Sequence, residues 1–218
     1  MRTDQELQRD VIAELKWQPS LRSEKIGVAV KDGVATLSGE VTTYGRKFEA
    51  ERAAESVHGV MAVAVYMNVK LRNSFVHSDT EIAHAALDAL KWHVEVPDDK
   101  IQLRVEDGRI ILEGEAEWQY QRTAAERAVR YLLGVKGVSN FITVKPKKVS
   151  TYDVNRKIHE AFKRSAEIDS SQITVDTIDS KVTLNGKVRS WAERRDAENA
   201  AWSAPGVTQV DDRLAVGF

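Results

Sequence analysis

One short phrase occurs three times in this chain, and it limits the possible folds more than any other feature. It reads ATLSGEV at residues 35–41, IILEGEA at 110–116 and VTLNGKV at 182–188. The phrase matches no catalytic or phosphate-binding motif, so its recurrence indicates a repeated structural unit. Its glycines are 75 and 72 residues apart, and the same two offsets align apolar residues across each whole copy. A period of this length is typical of a small domain with its own core.

Each copy carries the same order of helix and strand signals. It begins with a helix-capping box, in which a hydroxyl residue precedes an acidic one by three positions. These pairs are Thr3 with Glu6, Ser78 with Glu81, and Ser150 with Asp153. Apolar residues four apart then predict an amphipathic helix. Alternating apolar residues around the turns KDGV, EDGR and IDSK predict a β-hairpin.

An alanine-rich helix follows the hairpin in each copy, and an apolar strand ends the unit. The glycine of the repeated phrase is expected to let the strand bend or a helix approach closely. The strand–helix–strand crossover should be right-handed. The predicted fold class is therefore α+β, with three tandem α-β-β-α-β domains. In each, two helices cover one face of a three-stranded mixed sheet and leave the other face open.

The alignment also predicts where the domains begin and end. We expect domains over residues 1–71, 79–146 and 150–218, with linkers at 72–78 and 147–149. Linkers this short favour domains that contact one another over domains that tumble freely.

Composition excludes several classes of protein. The chain has 32 basic and 33 acidic residues, so nucleic acid is not an expected partner. No apolar run approaches the roughly 18 residues of a membrane span. The first residues lack the apolar stretch of a secretory signal, which favours a cytoplasmic protein, or a periplasmic one if Met1 replaces a signal. There is no cysteine, so disulfides and thiolate chemistry are excluded.

Neither the histidines nor the carboxylates suggest a catalytic or metal site. No two histidines fall at equivalent positions in the repeats, and none shows the i, i+4 spacing of a helical zinc site. They are His58, His77, His84, His93 and His159. Asp32 and Asp107 belong to separate domains and are explained by the Asp-Gly turns. We expect no enzyme activity, no cofactor and no bound metal.

The start of the second helix is the strongest candidate binding site, because each copy places aromatic residues beside basic ones there. The residues are Tyr44, Arg46 and Lys47, then Trp118, Tyr120 and Arg122, then Arg189, Trp191 and Arg194. A helix N-terminus favours a phosphate group, and Trp and Tyr suit the boundary between water and lipid. Three copies would add avidity. The alternative is that the aromatic residues pack at the helix start and the bases are simply solvated.

Two tryptophans that follow the first helix form a second candidate. Trp17 follows Lys16, Trp92 follows Lys91, and the third copy has Arg164 at this position. Each indole could stand exposed for a membrane or a partner. The alternative is that it covers the edge of the core, since a tryptophan buries a large apolar area.

The repeated unit resembles the BON domain, which is named from bacterial osmotically inducible and nodulation-type proteins. The motifs are VAVKDGVATLSGEV, LRVEDGRIILEGEA and VDTIDSKVTLNGKV, each followed by an Ala/Glu/Arg-rich helix. The resemblance implies a role in envelope and osmotic stress, binding to phospholipid surfaces, and no catalytic residues.

These observations lead to two expected functions. The first is a non-catalytic, stress-associated protein that engages anionic phospholipid peripherally through the helix-start clusters. The second is a protein-interaction or chaperone-like stress scaffold that binds other chains through its open sheet faces and edges.

Overall fold

The predicted order of elements is confirmed in the computed structural model, which describes residues 2–22, 25–145, 151–165 and 168–217. The helices are Asp4–Trp17 (α1), Tyr44–Ser56 (α2), Asp79–Trp92 (α3), Gln119–Arg130 (α4), Thr151–Arg164 (α5) and Trp191–Trp202 (α6). The strands are Lys25–Lys31 (β1), Val34–Val41 (β2), Ala62–Val69 (β3), Ile101–Glu106 (β4), Arg109–Ala116 (β5), Gly137–Val144 (β6), Ile173–Ile178 (β7), Lys181–Val188 (β8) and Gln209–Val216 (β9). The predicted cap Ser150 and the second linker lie outside the described residues.

The strands form three sheets in the orders β1-β2-β3, β4-β5-β6 and β7-β8-β9. In the first repeat β1 pairs antiparallel with β2, and β2 pairs parallel with β3. The third repeat has the same pairing. The α+β class with mixed three-stranded sheets is therefore confirmed.

The described chain divides into two compact units, and each contains part of the middle repeat. The first unit is Met1–Leu90, Leu103–Ile111 and Arg127–Ser139. The second unit is Lys91–Gln102, Leu112–Glu126 and Asn140–Phe218. The first repeat belongs wholly to one unit and the third repeat wholly to the other.

Each terminal repeat has its own apolar core between its helices and one face of its sheet. In the first repeat the buried side chains include Val11 and Leu37, and alanines of α2 let that helix pack closely. In the third repeat Phe162 and Leu184 are fully buried, and every buried member of the cluster lies between residues 154 and 214.

Within the first unit, α2 also packs against the end of α4. The guanidinium carbon of Arg130 lies 3.5 Å from the centroid of the Phe48 ring, within cation–π range. Gly45 faces the ring of Tyr131, and a β-carbon at this position would collide with it. The first repeat thus contacts a segment of the second.

In the first and second repeats, the first residue of the opening helix, α1 or α3, accepts hydrogen bonds from the hairpin turn. Asp32 N and Gly33 N donate to the carboxylate of Asp4, at 2.9 and 3.2 Å. The corresponding amides of residues 107 and 108 donate to Asp79, both at 2.8 Å. Asp32 has φ 50° and Gly33 φ 75°, the left-handed conformation that this hairpin turn requires. The helix start is therefore fixed on the turn.

The glycine of the repeated phrase has a different close neighbour from the helix that we predicted as one possibility. At Gly39, Gly114 and Gly186 the backbone has φ of 122°, 128° and 133°. A β-carbon there would collide with a main-chain carbonyl oxygen just before or at the start of the preceding strand: Lys25, Lys100 and Gln172 respectively. The glycine is needed because two strand backbones approach closely, not because a helix does.

Candidate functional site

At the start of α2, the predicted basic residues bond within their own repeat. Thr43 caps the helix, with Arg46 N donating to its hydroxyl oxygen at 3.3 Å. Arg46 Nη1 donates to Thr42 Oγ1 at 2.6 Å, and Lys47 Nζ donates to the Met67 carbonyl oxygen at 2.9 Å. Tyr44 is half-buried. Both cations therefore turn towards the protein.

An amide side chain accepts hydrogen bonds from the backbone at the start of α4. Gln121 Oε1 accepts from Glu117 N and Trp118 N, both at 3.0 Å, which satisfies two free amides at the helix start. Arg122 Nη2 donates to the Asn140 carbonyl oxygen at 3.1 Å. Its Nε is buried and has no hydrogen-bond partner among the described residues. Of the two predicted aromatic residues, Trp118 is half-buried and Tyr120 is exposed.

At the start of α6 the structure brings one predicted aromatic–basic pair together. The Arg194 guanidinium carbon lies 5.0 Å from the centroid of the Trp191 ring. Arg194 Nε also donates to Asp212 Oδ2 at 2.7 Å, and both side chains are largely buried. Arg189 pairs with Glu193 at 3.1 Å and remains mostly exposed.

Glu193 is a buried acid that the sequence analysis did not identify. Burial raises the pKa of Glu193, but hydrogen bonds from the Arg189 side chain and from Asp169 N and Arg189 N outweigh it, and the pKa is lowered. The carboxylate therefore stays charged and ties two loops to the start of α6. The signal for it was the Ser190–Glu193 spacing, a further capping-box pattern.

The bases that follow the aromatic residues share one position and one kind of acceptor. Lys47, Arg122 and Arg194 are related by the repeat offsets of 75 and 72. Each donates to a main-chain carbonyl on the third strand of its own sheet. The acceptors are Met67 O at 2.9 Å, Asn140 O at 3.1 Å and Asp212 O at 3.5 Å.

These carbonyl groups lie on the free edge of the sheet. In the third repeat Gly217 N donates to Val188 O, so the backbone groups of Gly217 face β8. Backbone groups of successive residues in a strand point to opposite sides, and Asp212 is an odd number of positions from Gly217. The N–H and C=O groups of Asp212 therefore face away from β8. Strand β9 has no neighbour on that side. Side chains of the strand itself cover further edge amides: Leu214 N donates to Asp212 Oδ1 at 2.9 Å, and Ile142 N to Asn140 Oδ1 at 3.2 Å. The shared base is thus an edge cap, which discourages pairing with another strand.

The tryptophans at the end of helix 1 are exposed. Trp17 is 74% and Trp92 is 87% exposed, and Lys16 and Lys91 beside them are exposed as well. The alternative in which each indole covers the edge of the core is therefore wrong. Each tryptophan is the last residue of its helix, so its side chain projects beyond the packed stripe.

The sheet faces away from the helices are open, as predicted, but their chemistry differs between repeats. Tyr66 on β3 is 72% exposed, and Phe141 at the equivalent position of β6 is 63% exposed. The third repeat has Arg213 there, which pairs with Asp211 at 2.8 Å. Two repeats therefore present an aromatic ring where the third presents an ion pair.

The described residues contain no group of three or more histidine or acidic side chains that could hold a metal ion. Within the same ranges, no helix is both long enough and apolar enough to cross a bilayer.

The three α-β-β-α-β units with capped sheet edges define a tandem-repeat α+β protein. A model of the BON domain family matches residues 3–70, 78–146 and 151–217, so the chain belongs to that family.

Among characterised proteins, this chain is similar to osmotically-inducible protein Y of Escherichia coli (strain K12). The two are 28% identical over 146 residues, which is 65% of this chain and 73% of that protein. Among solved structures, CdsD, a structural protein of the type III secretion system of Chlamydia trachomatis, matches with 13% identity and a TM-score of 0.28. That match covers 97% of this chain and 92% of the other. The PrgH periplasmic domain matches with 8% identity and a TM-score of 0.22, covering 91% and 98%.

Proposed function

We propose that this chain is a non-catalytic binding protein of the osmotic stress response that engages anionic phospholipid surfaces peripherally. Membership of the BON family and similarity to an osmotically inducible protein support the stress role. The observation that carries the lipid proposal is the pair of exposed tryptophans, each beside an exposed lysine. An indole inserts at the level of the headgroups, and a neighbouring ammonium group attracts an anionic surface.

The residues at the helix 2 starts form a second candidate contact for the same ligand. Their cations already bind carbonyl or carboxylate oxygens of their own repeat, so a phosphate would have to compete with those bonds. The exposed ring of Tyr120 could contact lipid without such an exchange, whereas Arg189 is exposed but paired with Glu193. We therefore place the first contact at Trp17 and Trp92 and treat the helix 2 starts as secondary.

Liposome flotation tests this proposal. The intact chain is mixed with phosphatidylglycerol-containing vesicles or with pure phosphatidylcholine vesicles, at low and moderate salt. We expect flotation with the anionic vesicles, weakened by salt because the lysines contribute through screened charge. The double variant Trp17→Ser, Trp92→Ser should lose most of this binding.

The matched control is Phe141→Ser, which removes an exposed aromatic ring from a sheet face and should leave flotation unchanged. Equal binding by the double tryptophan variant would overturn the assignment to helix 1. If Arg122→Glu with Arg194→Glu removed binding instead, in a variant shown to be folded, the helix 2 starts would be the site. No flotation under any condition would overturn the lipid proposal.

A second candidate function is protein binding, and a specific observation favours it. Tyr66 and Phe141 are exposed aromatic rings on open sheet faces, where a solvated face usually carries polar residues. Such rings are enriched at protein interfaces. This proposal predicts that Tyr66→Ser and Phe141→Ser weaken capture of a partner without affecting lipid flotation.

A further inference from the structure

The edge of the first strand is capped by a helix 1 side chain in two of the three repeats. Gln8 Nε2 donates to the Val28 carbonyl oxygen at 2.7 Å, and Asn155 Nδ2 donates to the Val175 carbonyl oxygen at 2.9 Å. Each amide reaches down from the helix over the outermost strand and occupies the acceptor that an incoming strand would use.

The middle repeat lacks this cap. The repeat offsets place Ala83 at the position of Gln8, and Leu103 at the position of Val28. Asp79 binds the hairpin turn of its repeat with its carboxylate, as Asp4 does in the first repeat. Helices α3 and α1 therefore have the same orientation over their hairpins, and Ala83 lies on the flank of α3 that corresponds to the flank of Gln8 on α1. A methyl group cannot donate a hydrogen bond. Ala83 therefore leaves the Leu103 carbonyl without the cap of the other repeats.

The backbone of β4 offers a regular row of hydrogen-bonding groups at this edge. In the third repeat Lys187 N donates to Gln172 O, which places Gln172 against β8 and Val175 on the free side. The same alternation places the N–H and C=O groups of Leu103 and Val105 on the free side of β4. β4 is the outermost strand in the order β4-β5-β6, so no strand of this sheet lies on its free side.

Two apolar residues lie on the helix flank above this edge. Ala83 and Leu87 are one helical turn apart and share that flank, and Leu87 is 50% exposed. On the opposite face of the sheet, Arg104 and Glu106 form an ion pair at 3.5 Å. The edge is thus flanked by two apolar side chains on the helix side and by an exposed ion pair on the other side.

We infer that the free edge of β4 binds an extended peptide segment of a partner protein, by strand addition. An extended backbone matches the spacing of two N–H and two C=O groups along one strand. Alternate side chains of that segment would be apolar towards Ala83 and Leu87 and polar on the other face. This inference rests on the protein-binding candidate function and is independent of the lipid proposal.

A second copy of this chain fits the edge less well than a bare peptide. Two helices cover three strands, so helix 1 of each repeat lies over the outermost strand, as the bond from Gln8 to Val28 shows. If two such edges paired about a two-fold axis, the two strands would lie roughly 4.8 Å apart, and the helices above them would be forced almost as close. Packed helices need about 8–10 Å between their axes. A helix-free segment avoids this conflict.

The test is an NMR titration of the intact chain with the probe peptide acetyl-KTVTVTVK-amide. We expect saturable shifts of the Leu103 and Val105 amides. Ala83→Gln, which restores the missing cap, should weaken binding at least about fivefold, the effect of one hydrogen bond. The converse variant, Gln8→Ala, should open a second site with shifts at Val28 and Val30. Ala85→Gln, on the exposed flank of the same helix, is the matched control and should bind as the parent does.

Several results would overturn the inference. One is the absence of shifts at Leu103 and Val105, and another is equal affinity in a folded Ala83→Gln variant. Concentration-dependent dimerisation lost in Ala83→Gln would assign the edge to a second copy. Shifts around Phe141 that Phe141→Ser abolishes and Ala83→Gln does not would place protein binding on the sheet face. That last result would reject the β4 edge as the binding site but would retain protein binding as the candidate function.

Discussion

At the scale of single residues, the glycine of the repeated phrase has the closest backbone neighbour among the glycines that the structure describes. In the third repeat, Gly186→Ala would combine a backbone conformation of φ 133° with a collision against the Gln172 carbonyl. We expect a loss of about 2–4 kcal/mol in the free energy of unfolding, measured by urea denaturation. Gly217→Ala is the control, since the added carbon would meet no described residue within 4 Å apart from its chain neighbours, and it should change stability by less than about 0.5 kcal/mol. Similar values for both variants would contradict this account.

Glu193 gives a prediction that depends on pH. Its pKa is lowered in the folded protein from an ordinary value of 4.5, so its stabilising effect is present above pH 4.5 and is lost as pH falls through the lowered pKa. Glu193→Gln should therefore lower Tm at pH 7, and the difference should shrink below pH 4.5. Thermal unfolding monitored by circular dichroism between pH 3 and pH 7 measures it. A difference in Tm that stays constant from pH 3 to pH 7 would count against the ionised carboxylate of Glu193.

At the scale of elements, the edge caps predict that a base at the helix 2 start stabilises the fold. Arg194 and Asp212 are 25% and 14% exposed, so their charged hydrogen bond lies mostly out of water. Arg194→Ala should cost about 1–3 kcal/mol in the free energy of unfolding. Arg213→Ala removes an exposed partner of Asp211 and should leave the midpoint of urea unfolding nearly unchanged, because water screens an exposed pair. If both variants unfold at the same urea concentration, the cap contributes nothing to stability.

The sequence predicts elements well and the direction of side chains poorly. The Asp-Gly turns and the period-two strands were readable because backbone sterics restrict which residues can form them. The role of Lys47 was not readable, because a base in the first helical turn can extend into solvent or fold back over a strand edge. That choice depends on a strand about twenty residues later in the chain. Trp17 shows the same limit: its residue type favours burial, whereas its position at the helix end leaves it exposed.

At the scale of the whole molecule, we propose that residues 150–218 form an independent domain. The buried members of its core cluster all lie between residues 154 and 214. The isolated fragment 150–218 should therefore fold and unfold cooperatively in urea. A fragment ending at residue 208 lacks β9 and with it the buried Leu214, so it should not fold. A fragment 150–218 without a cooperative transition would show that this repeat needs its neighbours.

The edge caps also have a consequence for the order in which the chain is made. Three similar units joined by short linkers are exposed to pairing between the wrong copies while the polypeptide leaves the ribosome. In each copy the capping base precedes its third strand, since Lys47 is synthesised before Met67 and Arg194 before Asp212. A helix that has already formed can therefore present its cation as the strand emerges. The free edge of the third strand is thus capped by a base of its own repeat before the next copy is complete.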